Sequence, residues 1–266
     1  MFLTRKALKK IRLLIGTYFA LGALSFVIAV IFKLFSIENK FIIILGFVCF
    51  LLGVFFGKIG RYSEGKGKLI NIGNKLVNHQ LRPAEFIHLY EEKRDSSENV
   101  VSKPDFDVLI LVVTAYDALG DTERELETLE KMLSIASEKK KPFVNLLKSS
   151  VLFSIGKIEE AEQLFGEVQN RKMDPITKMM SDIILKSDRA MALGDYKIAE
   201  IHSKQQLAQT FPKNTPLSLL DIHFRLAKIY YKTGRLDEAK NHYNYCVENG
   251  GETAIKSEAA NMLKFL

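Results

Sequence analysis

Tryptophan is absent from this 266-residue chain, cysteine occurs twice, histidine five times and proline six times. Two cysteines, Cys49 and Cys246, are too few for a disulfide framework or a cysteine-built zinc site. The sparse proline excludes a collagenous, mucin-like or disordered chain. His79, His88, His202, His223 and His242 are scattered, without the His-Glu-x-x-His spacing that sets two imidazoles on one helical face. No Gly-x-Ser-x-Gly elbow, phosphate-cradling Gly-x-x-x-x-Gly-Lys-Ser/Thr loop or Gly-x-Gly-x-x-Gly turn occurs. No catalytic, cofactor-binding or metal-ligating residue is therefore nominated, and no cofactor is expected. Long runs of one charge are also missing. Lys139, Lys140 and Lys141, just before Pro142, read as a solvated turn and not as a phosphate contact, so no nucleic-acid partner is expected.

What the chain has, at its start, is apolar length. Residues 13–32 are twenty residues without a charge, which at about 1.5 Å of rise per residue span the ~30 Å hydrocarbon core of a bilayer. Residues 41–57 are a second run of seventeen. The eight residues between them suffice for a turn between antiparallel helices. The expectation is a basic cytoplasmic start (1–12), a transmembrane hairpin (13–57, with spans 13–32 and 41–57) and a basic juxtamembrane linker (58–68). Gly46, Gly53 and Gly60 recur every seven residues, and Gly53 with Gly57 makes a Gly-x-x-x-Gly match. Gly46, Gly53 and Gly57 are thus candidates for close helix packing, within the hairpin or against a partner membrane protein.

Charge sets the expected orientation. Residues 1–68 hold eleven Lys or Arg against Glu38 and Glu64, a net of +9, so the total of +7 leaves −2 for residues 69–266. Five of those cations precede the first run, two lie between the runs and four follow the second. Because Lys and Arg stay on the cytoplasmic side, the reading is a two-span protein of a bacterial plasma membrane with both termini cytoplasmic and the bilayer as one partner.

Residues 69–266 read as all-α. Four glycines, Gly120, Gly156, Gly194 and Gly234, follow one another at spacings of 36, 38 and 40. Each ends one apolar periodic run and precedes another, the pattern of a helix closed by a left-handed glycine and restarted as an antiparallel partner. Ala161, Ala199 and Ala239 lie five residues beyond three of the glycines, where a small side chain permits close helix approach, and Glu125 takes that place in the first unit. Ala227, Tyr230, Gly234, Leu236, Ala239 and Tyr243 in the last unit, Gly194, Tyr196, Ala199 and Pro212 in the third, and Ser149, Leu152, Gly156, Ala161 and Phe165 in the second resemble the tetratricopeptide repeat family. The resemblance implies an α-solenoid of helix pairs at about 106–139, 142–175, 180–213 and 220–253, closed by a capping helix at 252–266. Gly73 to Glu92 looks like one further decayed pair.

In that family the first helices of successive pairs form a concave groove that takes a peptide or a partner helix. The matching positions here are Phe143, Leu146, Ser150 and Phe153, then Ile184, Asp188 and Met191, then Phe224, Lys228, Tyr231 and Lys232. The groove is expected to be apolar in its middle and basic at one end. Some members hold a C-terminal carboxylate with Lys, Arg and Asn; Lys228 and Lys232 are present but no Asn accompanies them, so no carboxylate clamp is expected. The function implied is a non-catalytic, membrane-anchored scaffold or adaptor that binds a protein or peptide. Its alternatives are an envelope or membrane-complex assembly factor with the repeats outside the cytosol, and a non-catalytic subunit of a membrane enzyme. An enzyme with its site in the groove would require titratable, perturbed acids there.

Overall fold

The computed structural model describes residues 65–95, 105–169, 175–180, 186–208 and 214–266. The chain divides into two units, Met1–Lys68 and Leu69–Leu266, and the second holds all the elements that follow. Every described element is helical. Residues 69–73 (α1) run into a π-helical turn, Asn74–His79. There follow α2 (Pro83–Asp95), α3 (Phe106–Leu119), α4 (Thr122–Ile135), α5 (Lys141–Ser154), α6 (Ile158–Gln169), α7 (Pro175–Met180) and α8 (Lys186–Ala192). The chain then continues through α9 (Tyr196–Leu207), α10 (Pro216–Lys232), α11 (Leu236–Asn249) and α12 (Ala254–Met262), with a final 3₁₀ turn at Leu263–Phe265.

One local motif recurs at four turns. Gly120, Gly156, Gly194 and Gly234 all adopt φ between 70° and 77°, a conformation that costs an L-residue roughly 1–2 kcal/mol and glycine almost nothing. The amide after each glycine donates to a carbonyl in the last turn of the preceding helix: Asp121 to Tyr116, Lys157 to Leu152, Asp195 to Ala190 and Arg235 to Tyr230, at 2.8–2.9 Å. This satisfies carbonyls that a helix end would otherwise leave without partners. Asp121 and Asp195 also accept, on their carboxylates, the amides of Arg124 and Ile198, so one residue closes the turn and caps the next helix.

The two helices of each pair meet along small residues. Ala161, Ala199 and Ala239 are fully buried. Seven positions before the turn glycine stand Ser149, Ser187 and Ala227, all at 0% exposure. The Ser149 hydroxyl donates to the Ala161 carbonyl at 2.9 Å and that of Ser187 to the Ala199 carbonyl at 3.5 Å. A buried serine in this seam thus satisfies itself on the partner helix's backbone.

The array curls until its last pair packs against its first. α10 packs on the Asn74–His79 turn, and α12 packs on α3. The Glu252 amide donates to the Leu81 carbonyl at 2.9 Å, and Arg82 pairs with Glu252 at 3.6 Å. Leu81 is the one non-glycine with positive φ among the described residues, at 55°. Its strain persists because the opposing chain fixes it from the other side. One continuous apolar core includes Val77 and Phe86 from the first pair, Val112 and Leu129 from the second, and Leu220, Ile229 and Tyr243 from the last. A smaller core, Leu146, Leu152, Phe153, Ala161 and Val168, joins α5 to α6.

The localisation read from the sequence requires correction. Among the described residues no helix is long and apolar enough to cross a membrane, so a two-span plasma-membrane protein with cytoplasmic termini is not upheld. The runs 13–32 and 41–57, with Gly46, Gly53 and Gly57, lie outside the described residues.

Closure of the array gives Gly251 a specific burden. Its φ is +55°, and an added Cβ would stand 2.5 Å from the Leu81 Cβ and 2.7 Å from the Leu81 carbonyl oxygen. Gly251→Ala is expected to destabilise the domain by about 2–4 kcal/mol, combining left-handed strain with overpacking. Denaturant melts followed by circular dichroism check the magnitude. Native-state hydrogen exchange should show the Glu252 amide losing protection before amides of α5 and α6.

Candidate functional site

Among the first helices of the pairs, α10 carries most of the polar chemistry. Asp221, Arg225, Lys228 and Lys232 fall at i, i+4, i+7 and i+11, a single stripe about 16 Å long running from an acid to two bases.

At the acidic end the helices are tied by a polar network. The Arg225 guanidinium pairs with Asp188 of α8 at 3.0 Å and donates to the Gln206 side chain of α9 at 2.7 Å. The Ser150 hydroxyl of α5 donates to the same Asp188 carboxylate. Asp117, at the end of α3, and Asp221 face this network. Asp117 keeps an exposed surface, yet the protein crowded around its carboxyl, reinforced by Asp188 and opposed by Arg225, pushes it up to about 6. Asp221 is raised well above the usual carboxylate range, first by burial and then by Asp117. Glu125, 5% exposed beneath this cluster, is pushed up to about 9 by burial and by Asp117. This end of the α10 stripe is therefore rich in titratable acids, where the residue types nominated from the sequence were mostly apolar.

At the basic end a pocket of about 470 Å³ opens between α8, α10 and α12. Met191, Tyr196, Tyr231 and Met262 supply its apolar wall, Lys228, Lys232, Glu258 and Asn261 its polar groups, and Tyr243 its floor. Lys228 sits 4.1 Å over the Phe224 ring and 3.7 Å from Glu258. The protein packed around Lys228 lowers its pKa, and Glu258 partly offsets that. Lys232 is exposed, with no ion pair to any described residue. Tyr243 is fully buried, and its hydroxyl is the one buried side-chain polar atom among the described residues that has no hydrogen-bond partner. Burial pushes that phenol up to about 12.

Of the eleven groove positions read from the sequence, Met191, Lys228, Tyr231 and Lys232 come together in this pocket, and Ser150 and Asp188 meet in the polar network. Leu146, Phe153 and Phe224 are buried in the cores, at 5%, 3% and 8% exposure. Phe143 packs its ring 6.5 Å from that of Phe106, and Ile184 lies outside the described residues. The residues that the sequence did not nominate come from elsewhere in the chain. Glu258, Asn261 and Met262 belong to the capping helix, which supplies the asparagine that α10 lacks. The acid–base spacing along α10 was the available signal for Asp221 and Arg225.

Two histidines that look scattered in the sequence also meet. His223 and His242 approach through their Nδ1 atoms at 3.0 Å, with Tyr245 stacked on His223 at 3.7 Å. Burial and the neighbouring imidazole depress His223 to about 4. Among the described residues no group of three or more His, Cys, Asp or Glu is placed to hold a metal ion.

These features define an all-helical repeat array with a polar network at one end of α10 and a pocket at the other. The tetratricopeptide repeat family model matches residues 220–249, which cover most of α10 and all of α11. With the all-helical array, that match supports a tetratricopeptide repeat protein. No curated protein and no solved structure matches the chain.

The raised carboxyl of Glu125 has a measurable consequence. Folded, it holds a proton that the unfolded chain releases above pH 4.5, so wild-type stability falls as pH rises from about 4.5 through about 9. Glu125→Gln, neutral throughout, is expected to gain about 1–2 kcal/mol at pH 8, a few degrees in melting temperature. The gain should vanish below pH 4.5 in thermal melts across pH.

Proposed function

We propose that the chain is a non-catalytic scaffold that recruits a protein partner into the pocket between α8, α10 and α12. The observation that carries this reading is the pocket itself. It lies on the repeat matched by the family model, and it exposes unpaired Lys232 beside an apolar wall. Tetratricopeptide repeats are protein-binding modules, and an apolar recess with a few convergent polar groups is where a partner's side chain finds both burial and register.

The acids Asp117 and Asp221 beside Asp188 are the one feature that favours a catalytic reading, since the first two are perturbed carboxyls and such groups concentrate at active sites. We assign them instead to helix register. Asp188 is engaged by Arg225 and Ser150 from two other helices, so it locks α5, α8 and α10 in place. An ion pair of this kind adds little net stability, yet losing one partner is costly, which is how such groups select one arrangement.

The test is site-specific photocrosslinking from position 261, exposed at the same pocket, of the full-length chain in cell extract, with the captured proteins identified by mass spectrometry. Wild type is compared with Met191→Glu and Tyr231→Ala, after circular dichroism shows each variant folded. The expected result is one protein whose capture falls at least tenfold in both variants. Capture that neither substitution alters would refute the pocket as the recruitment surface.

A further inference from the structure

We infer that the pocket between α8, α10 and α12 takes a bulky apolar side chain of the partner together with an adjacent acidic side chain. The inference rests on the recruitment reading and specifies the chemistry of the occupant. Two independent features of the pocket point to it. The wall of Met191, Tyr196, Tyr231 and Met262 and the volume of about 470 Å³ suit one large apolar group with its neighbouring backbone. The rim carries Lys228 and Lys232 against a single carboxylate, that of Glu258, so it holds one cation in excess. Glu258 stands 3.7 Å from Lys228, and Lys232 is left for a carboxylate supplied from outside.

The other end of the α10 stripe offers no free cation. Arg225 there is engaged by Asp188 and Gln206, so a second acid extending that way finds no partner. The carboxylate of the occupant therefore lies at the Lys232 end, and the rest of the segment next to the anchor is neutral or basic.

The experiment measures fluorescence anisotropy of three fluorescein-labelled, C-terminally amidated peptides on the full-length chain: Ser-Gly-Phe-Asp-Gly-Ser and its variants with Asn or Lys in place of Asp. Amidation leaves the side chain as the peptide's only carboxylate. The Asp probe is expected to bind at least fivefold more tightly than the Asn probe and more tightly still than the Lys probe. Lys232→Glu should abolish that preference, and Met191→Glu should weaken the Asn probe as well. Equal binding of the three peptides refutes the acidic occupant and leaves the pocket as a docking surface. Binding that neither Met191→Glu nor Lys232→Glu changes overturns the pocket reading as well.

Discussion

Close approach of the two helices within each pair is the constraint on which the remaining structure depends. It is set by three positions: a glycine that can turn left-handed, a small residue seven positions before it and a small residue five positions after it. Ser149 with Ala161, Ser187 with Ala199 and Ala227 with Ala239 meet this requirement with no exposed surface. A larger side chain at either position would hold the backbones apart and forfeit the dispersion contacts that make a packed interior dense. The first of the four glycine units departs from it. Val113 and Glu125 occupy the two positions, both buried, and the carboxyl of Glu125 resists ionisation in response.

From that repeated seam the geometry of the concave side follows. Each pair presents its first helix inward, so α5, α8 and α10 converge, and the polar residues on their inner faces meet one another. Ser150, Asp188 and Arg225 form a bridge among three helices, which fills the middle of the groove and leaves the recess at the end of α10 as the place open to a partner. Closure of the array reinforces this arrangement. The chain at Gly251 and Glu252 lies against Leu81, so α12 is held from both sides. Glu258, Asn261 and Met262 therefore reach the pocket from a fixed helix and not from a fraying terminus.

Much of this was legible in the sequence because its causes are local. A left-handed turn demands glycine within a few residues of the helix it ends, and all four glycines singled out by spacing take that conformation. The alanines after three of them are buried as their size requires. The candidate groove was legible only in part, since helical periodicity gives the face of a residue but not what the face meets. Leu146 and Phe153 share a groove-like register with Met191 yet enter the α5–α6 core. The apolar middle expected from residue types is acidic because Asp117 and Asp221, separated by about a hundred positions, are carried to the same place.

The sequence by itself determined the all-α class, the repeat units and their turns, since each rests on backbone stereochemistry and on periodicity over one or two helices. It also named Met191, Lys228, Tyr231 and Lys232, which the pocket brings together. Only the tertiary structure decided that the array closes on itself, that the capping helix completes the pocket, that His223 and His242 meet, and that a buried Tyr243 hydroxyl lies beneath the site without a partner. Each of these depends on the accumulated rotation from one helix pair to the next. That rotation is set by packing across the whole core, and no short stretch of residues encodes it.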